Sequence, residues 1–443
     1  MKKREAIVSN FSITNFIREE TLGGFLLLLS TLVAIIWANS GYYDSYHHLW
    51  EEFKAGISFG NFELKGTLHQ WINDGLMAVF FFTVGLEIKR EVLAGELSSM
   101  KKASLPIVAA VGGMLIPAAI YTFIAFHNPD YIHGWGIPMA TDIAFALGIL
   151  SLLGKKVNIN LKIFLTALAI ADDLGAILVI AIFYTESIHI MQLVNAGIFL
   201  VVLFAANRLG VRRATFYAIV GMAGVWLSFV FSGIHATIAG VLIALTIPVR
   251  TKVSESKYID GLEKLLEKFR HSKSNDSTLL TQRQAHLITD IEKLSDDAHT
   301  PLQKLEHALH PVVAYIILPL FALSNAGVHI QGNIFEILVH PVSLGIIAGL
   351  VLGKFIGISA FSRILVALKI AALPEGVTWR QVYGMAFLAG IGFTMSIFIS
   401  DLAFADKTMV EIAKVGIFAA SLISAILGVI ILSYRPGLKQ TEN

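Results

Sequence analysis

Two adjacent aspartates, Asp172 and Asp173, lie inside the apolar run Leu165 to Ala176, which contains no proline to break a helix. Consecutive helical residues point about 100° apart, so one carboxylate can face a cavity while the other faces a neighbouring helix. Close carboxylates resist joint ionisation and titrate as a coupled unit. Such a pair can hold protons or a hard cation, and oxygen-only ligands suit Na+ or Li+. With no cysteine, thiolate metal sites, disulfides and cysteine nucleophiles are excluded. Three more ionisable residues, Asp74, Asp142 and Lys354, sit deep in apolar sequence. A charge at the centre of a bilayer costs roughly 2.5–3.5 kcal/mol on insertion scales, so five unpaired groups would cost on the order of 15 kcal/mol. That exceeds a typical net folding stability, so they must meet one another or water. For Asp74 and Asp142 the plainer alternative, charges that only hold helices together, stays open.

The elements that carry these residues are membrane helices. The chain is 55% hydrophobic and only 15% charged, where soluble domains carry about 25% charged residues. Its net charge of +2 gives no global field to attract nucleic acid. Hydropathy predicts twelve apolar segments, at 16–39, 69–88, 104–126, 137–153, 161–184, 190–206, 214–229, 232–248, 312–328, 342–362, 382–400 and 412–433. The first is too long for a signal-peptide core, and no small-residue cleavage site follows it. Of the 34 Lys and Arg, 29 fall in the N-terminal segment, every second connection and the tail. The alternate connections hold Lys54, Lys65, Lys407 and Lys414. The positive-inside rule therefore predicts an even number of spans and both termini in the cytoplasm. Lys354 is the one basic residue in the middle of a segment.

Two segments look interrupted. The fourth is about 16 residues long, too short for a core of about 30 Å at 1.5 Å per residue, and the eleventh carries Gly384, Gly390 and Gly392. Ile143 to Ile149 and Ile391 to Ile397 agree in kind at all seven positions. Each is flanked by a glycine-bearing segment before it and an intact one after it, so segments three to five and ten to twelve read as an inverted repeat. An inverted repeat with interrupted helices points to a transporter with its site at mid-membrane.

The residues that carry a family resemblance are Trp71 to Phe81, Val84 to Glu91, Ala140 to Phe145, Ala169 to Gly175, Gly353-Lys354 and Gly390 to Ser396. In these motifs, and over nearly the whole chain outside 251–300, the sequence resembles the NhaA sodium/proton antiporters, themselves a standard example of the inverted-repeat architecture. The resemblance implies that Asp173 is the main cation carboxylate and that Asp172 alternates between Lys354 and a proton or the cation. It implies that Thr141 and Asp142 lie at the break of the fourth helix, with Asp142 balancing positive half-helix ends and Lys354 negative ones. It further implies a pH-responsive mouth at Glu87, Arg90 and Glu91 with Glu306, His307 and His310, and a pH-linked histidine at His235. A solvated rim of charges is the alternative for the mouth. A satisfied packing residue is the alternative for His235.

The connection 249–310 departs from the family pattern. Ile259, Leu262, Leu265, Leu266 and Phe269 form one helical stripe and Leu280, Leu287, Ile291 and Leu294 another, on either side of the polar stretch Ser272 to Ser277. The expected organisation is helices one to eight over 1–250, a cytoplasmic helical loop over 251–310 and helices nine to twelve over 311–443, in one transmembrane domain. The expectation is an all-α inner-membrane antiporter, not an enzyme, that exports Na+ or Li+ against imported H+. It needs no cofactor; its partners are these ions and the lipid bilayer, and a homodimer is left open. A sodium-coupled symporter would need polar groups for an organic solute. An intramembrane aspartyl protease would need a G-x-G-D motif, which does not occur.

Overall fold

The computed structural model describes residues 22–59, 62–154, 157–185, 188–272, 279–330 and 332–434. The basic start Met1 to Arg4, the loop lysines Lys155 and Lys156, most of the polar stretch Ser272 to Ser277, and Arg435 and Lys439 of the tail lie outside these residues. Among the described residues seven helices are long and apolar enough to cross a membrane: α2 (Leu68–Ala94), α3 (Met100–Ala125), α5 (Ile159–Phe183), α6 (Ile190–Arg208), α11 (Pro301–Asn325), α12 (Pro341–Ala367) and α15 (Lys407–Ser433). Shorter apolar helices are α1 (Leu22–Ala38), α7 (Ala214–Val230) and α8 (Thr237–Thr246).

Two further pairs pass the same test only together. Pro129–Met139 joins α4 (Ile143–Leu152) across a 44° bend, and α13 (Trp379–Leu388) joins α14 (Phe393–Ala403) across a 46° bend. Pro138 near the end of the first half and Gly390 and Gly392 at the second break supply the local reasons, since proline forfeits a helical hydrogen bond and glycine weakens a helix. These are the two segments whose length and glycine content mark them as interrupted.

Two features depart from the sequence expectation, a strand pair and a late helix start. Strands β1 (Lys54–Phe59) and β2 (Phe62–Thr67) pair antiparallel, where no strand was expected. Thr67 then starts α2 through a capping box with Gln70. The segment expected at 232–248 becomes helical only at Thr237, because Gly233 takes φ +82° and ends the preceding turn. The long connection folds as two antiparallel helices, α9 (Glu255–Arg270) and α10 (Gln282–Ala298). Tyr258 meets Ser295 at 3.1 Å, and Leu287 is buried, whereas Ile259 and Leu266 of the first stripe stay exposed. The base of this hairpin is fastened by Lys252 to Asp297 at 2.8 Å and Lys304 to Asp296 at 2.9 Å.

Helices α3 and α12 pack with their backbones in near contact. A Cβ on Gly357 would strike the Gly112 carbonyl oxygen, and one on Gly353 would lie 2.7 Å from the Cα of Pro117. Close backbone approach through small residues is how membrane helices gain packing without a solvent-driven term, and this seam fixes Lys354 on α12 beside α5. Gly357→Leu should therefore cost about 1–3 kcal/mol through overpacking, read as a lowered unfolding midpoint in detergent; an unchanged midpoint would mean the seam is looser than drawn.

Candidate ion site

The two helix breaks cross at the centre of the molecule. Asp142 caps α4 by accepting from the Phe145 N–H at 3.0 Å, and its other oxygen accepts from the Thr394 N–H at 3.1 Å and the Thr394 hydroxyl at 2.5 Å, in the first turn of α14. One buried carboxylate thus serves the N-terminal ends of both half-helices, where unpaired N–H groups and the helix dipole favour negative charge. The backbones of the two breaks are stitched together as well. Asp142 N–H donates to the Ile391 carbonyl at 2.7 Å, the Thr141 hydroxyl donates to the Ala389 carbonyl at 2.7 Å, and Ser396 donates to the Ile137 carbonyl at 2.8 Å. Phe145 and Phe393, which align when the two seven-residue stretches are superposed in sequence, have ring centroids 5.2 Å apart.

Beside this crossing, α5 presents its aspartates in different directions. Asp172 Oδ2 and Lys354 Nζ lie 2.5 Å apart, and both side chains are fully buried. Asp173, 1% exposed, instead lines a cavity of about 130 Å³. Asp142, Thr394, Thr83 and Thr166 also line it, so its inner part is rich in oxygen. Asp172 Oδ1 and Asp173 Oδ1 find no hydrogen-bond partner among the described residues. Buried carboxylate oxygens without donors have the chemistry of sites that accept a proton or a hard cation.

The cavity leads to the charges expected at the mouth. Glu87, Arg90, Glu306 and His310 line it, and Arg90 holds Glu306 at 2.6 Å and Glu91 at 3.0 Å. His307, one residue beyond Glu306, points to an exposed surface. The remaining candidates lie elsewhere. Asp74 sits half-buried in a widened turn at Trp71–Leu76, where its carbonyl accepts from Trp226 at 2.9 Å. His235 lies in the break before α8, its Nε2 2.8 Å from the Tyr184 carbonyl.

Two sets of residues escaped the sequence reading. Thr394 lies within the stretch Gly390 to Ser396, but nothing in the residue order ties it to Asp142, 252 positions away. At the end of the molecule away from the mouth, Asp401 Oδ1 pairs with Lys414 Nζ at 3.0 Å and its Oδ2 lies 3.7 Å from His69 Nε2. Asp401 falls just past the apolar run 382–400 and Lys414 inside the run 412–433, so both resemble ordinary end-of-helix charges in sequence.

Comparison with known proteins follows the same lines. Residues 14–432 match the family model described as Na+/H+ antiporter 1. The chain is 48% identical to the Na(+)/H(+) antiporter NhaA 1 of Psychromonas ingrahamii, covering 94% of this chain and 95% of the relative. It is 50% identical to the NhaA of Acidithiobacillus ferrooxidans over 94% of this chain and 95% of the relative. With the NhaA of Oleidesulfovibrio alaskensis it shares 49% identity over 94% of this chain and 92% of the relative.

The buried pair gives a stability prediction. Lys354→Ala leaves the Asp172 carboxylate buried without its counter-charge, which should cost about 3–5 kcal/mol and lower the unfolding midpoint in detergent. Adding Asp172→Asn to a Lys354→Met chain should recover much of the loss. An unaltered midpoint for Lys354→Ala would show that the lysine is not the partner of Asp172.

Proposed function

The chain belongs to the Na+/H+ antiporter 1 family, and on that premise we propose how its buried charges carry out the exchange. It is a multi-pass membrane protein that exchanges Na+ for H+. In our reading Asp173 is the cation carboxylate, reached through the cavity from the Arg90–Glu306 mouth, with Thr141 and Asp142 holding the crossing beside it. Asp172 is the switching group: it is neutralised by Lys354 in one state and takes up a proton, or assists the cation, in another. The observation that carries this division is that Asp173 lines the cavity while Asp172 is held by Lys354.

Proton and cation then compete for the same oxygens. If one Na+ or Li+ displaces protons from both aspartates, one positive charge leaves while more than one enters, and the exchange is electrogenic. It also becomes pH-dependent, since protons occupy the site as pH falls. Glu87, Arg90, Glu91, Glu306, His307 and His310 set the charge at the entrance and tune that response, while His235 and Asp74 stand on the opposite side as structural support. No resident cofactor enters this scheme; Na+, Li+ and H+ are cargo. Each bent pair and each shorter apolar helix is taken as one crossing beside the seven long helices, giving twelve, with helices three to five and ten to twelve as the inverted repeat. The Lys and Arg distribution puts both termini, the α9–α10 hairpin and the mouth in the cytoplasm of a bacterial cell, with the protein in its inner membrane. A solute symporter fits less well, because ligand pockets for organic molecules run to about 300–1,000 Å³ and this cavity is about 130 Å³.

In vesicles carrying the protein, NaCl should dissipate an inside-acid gradient reported by a dye, whereas KCl should not. Asp173→Asn should abolish both Na+ and Li+ exchange while the protein still inserts. Near-normal exchange by this variant would remove Asp173 from the cation site.

A further inference from the structure

The cavity lies between two groups of helices. On one side are α1, α2 and α11, through Gly24, Thr83, Glu87 and Glu306; on the other are α4, α5 and α14, through Asp142, Asp173 and Thr394. At the end away from the mouth the same two groups are drawn together. Phe81 of α2 and Phe321 of α11 converge on Phe398 of α14, at centroid distances of 5.6 and 6.3 Å, and all three rings are at most 1% exposed. Beyond this aromatic layer lies the polar cluster that the exchange scheme does not use. His69 of α2 lies 2.9 Å from Asn325 Oδ1 of α11, and Asn325 donates to Asn73 Oδ1 at 3.0 Å, which ties the first group together. Asp401 of α14 is held by Lys414 of α15 in the second. The contact between the groups is His69 Nε2 to Asp401 Oδ2, at 3.7 Å. Asp401 Oδ2 is buried and has no hydrogen-bond partner among the described residues, and at 3.7 Å its contact with His69 lies beyond hydrogen-bond length, so it is easier to part than a short buried hydrogen bond.

We infer that the His69–Asp401 contact, backed by Phe81, Phe321 and Phe398, is the outer gate of the transport path, closed in this state and separated in the state that exchanges ions with the far side. The physical reason is alternation: a cavity open at one end needs a seal at the other, and a seal between the two helix groups must part when they rock against each other. The aromatic layer excludes water, while the polar pair sets the register in which the groups close. Asn325 fixes the His69 ring, and Lys414 holds the Asp401 carboxylate; these two are positioning residues. The inference rests on the exchange proposed above, and it adds the residues that control access from the side opposite the mouth.

The chain contains no cysteine, so a gate clamp needs no background changes. In the His69→Cys/Asp401→Cys protein, a short bis-methanethiosulfonate should lower Na+-dependent proton movement by roughly tenfold or more, since locking a conformational step stops turnover, and reductant should restore it. A cross-linked protein that exchanges at the uncross-linked rate overturns the gate. Should the double variant be inactive before cross-linking, a thiol at the cavity decides the matter. Thr83→Cys should react slowly with a membrane-impermeant thiol reagent added from the far side, and several-fold faster when His69→Ala and Asp401→Asn are added. Equal rates overturn the gate. Loss of ion exchange in the unmodified chain would refute the exchange reading, while this labelling difference would still judge the gate.

Discussion

A helix that stops inside an apolar core leaves backbone N–H groups with no water to bind, and here two such helix starts are satisfied by one carboxylate. Asp142 receives the first turns of α4 and α14, and the rest of the arrangement depends on that contact. Without it neither break could be buried, and the segments 140–142 and 389–392 would have no reason to cross. The crossing stands next to α5 and so places the Asp172–Asp173 pair among oxygen atoms instead of hydrocarbon.

The second constraint follows from helix geometry. Neighbouring residues on α5 cannot point the same way, so one aspartate meets Lys354 and the other meets the cavity. Lys354 is where it is because α12 approaches α3 backbone to backbone at Gly112 and Gly357, a contact that larger side chains would push apart. A buried ion pair of this kind adds little net stability, since desolvation offsets the attraction. In the exchange proposed here, its value lies in leaving Asp172 a charge that can be exchanged for a proton.

Much of this was legible in the amino-acid order. Deep aspartates and a lone deep lysine stand out against apolar sequence, and the short fourth segment with the glycine-rich eleventh marks the two breaks. What could not be read has physical causes. The Thr394–Asp142 contact joins residues 252 positions apart, and no local periodicity encodes a pairing of that kind. The β1–β2 pair has too little alternation to stand out between two apolar helices. His69, Asp401 and Lys414 sit near helix ends, where charges are common, and only their packing against one another separates them from solvated residues. The α9 and α10 stripes predicted helices, but the Lys252–Asp297 and Lys304–Asp296 fastening at their base is tertiary.

The competition of Na+ and H+ for the paired aspartates is tested most directly by counting protons released when Na+ binds. Calorimetric titration of the purified protein in buffers of different ionisation enthalpy gives that number. Competition at the paired aspartates predicts release of more than one proton per Na+ near the lower end of the active pH range, falling toward none as pH rises and the site empties of protons. Na+ binding that releases no proton at any pH would contradict a shared site for the two ions.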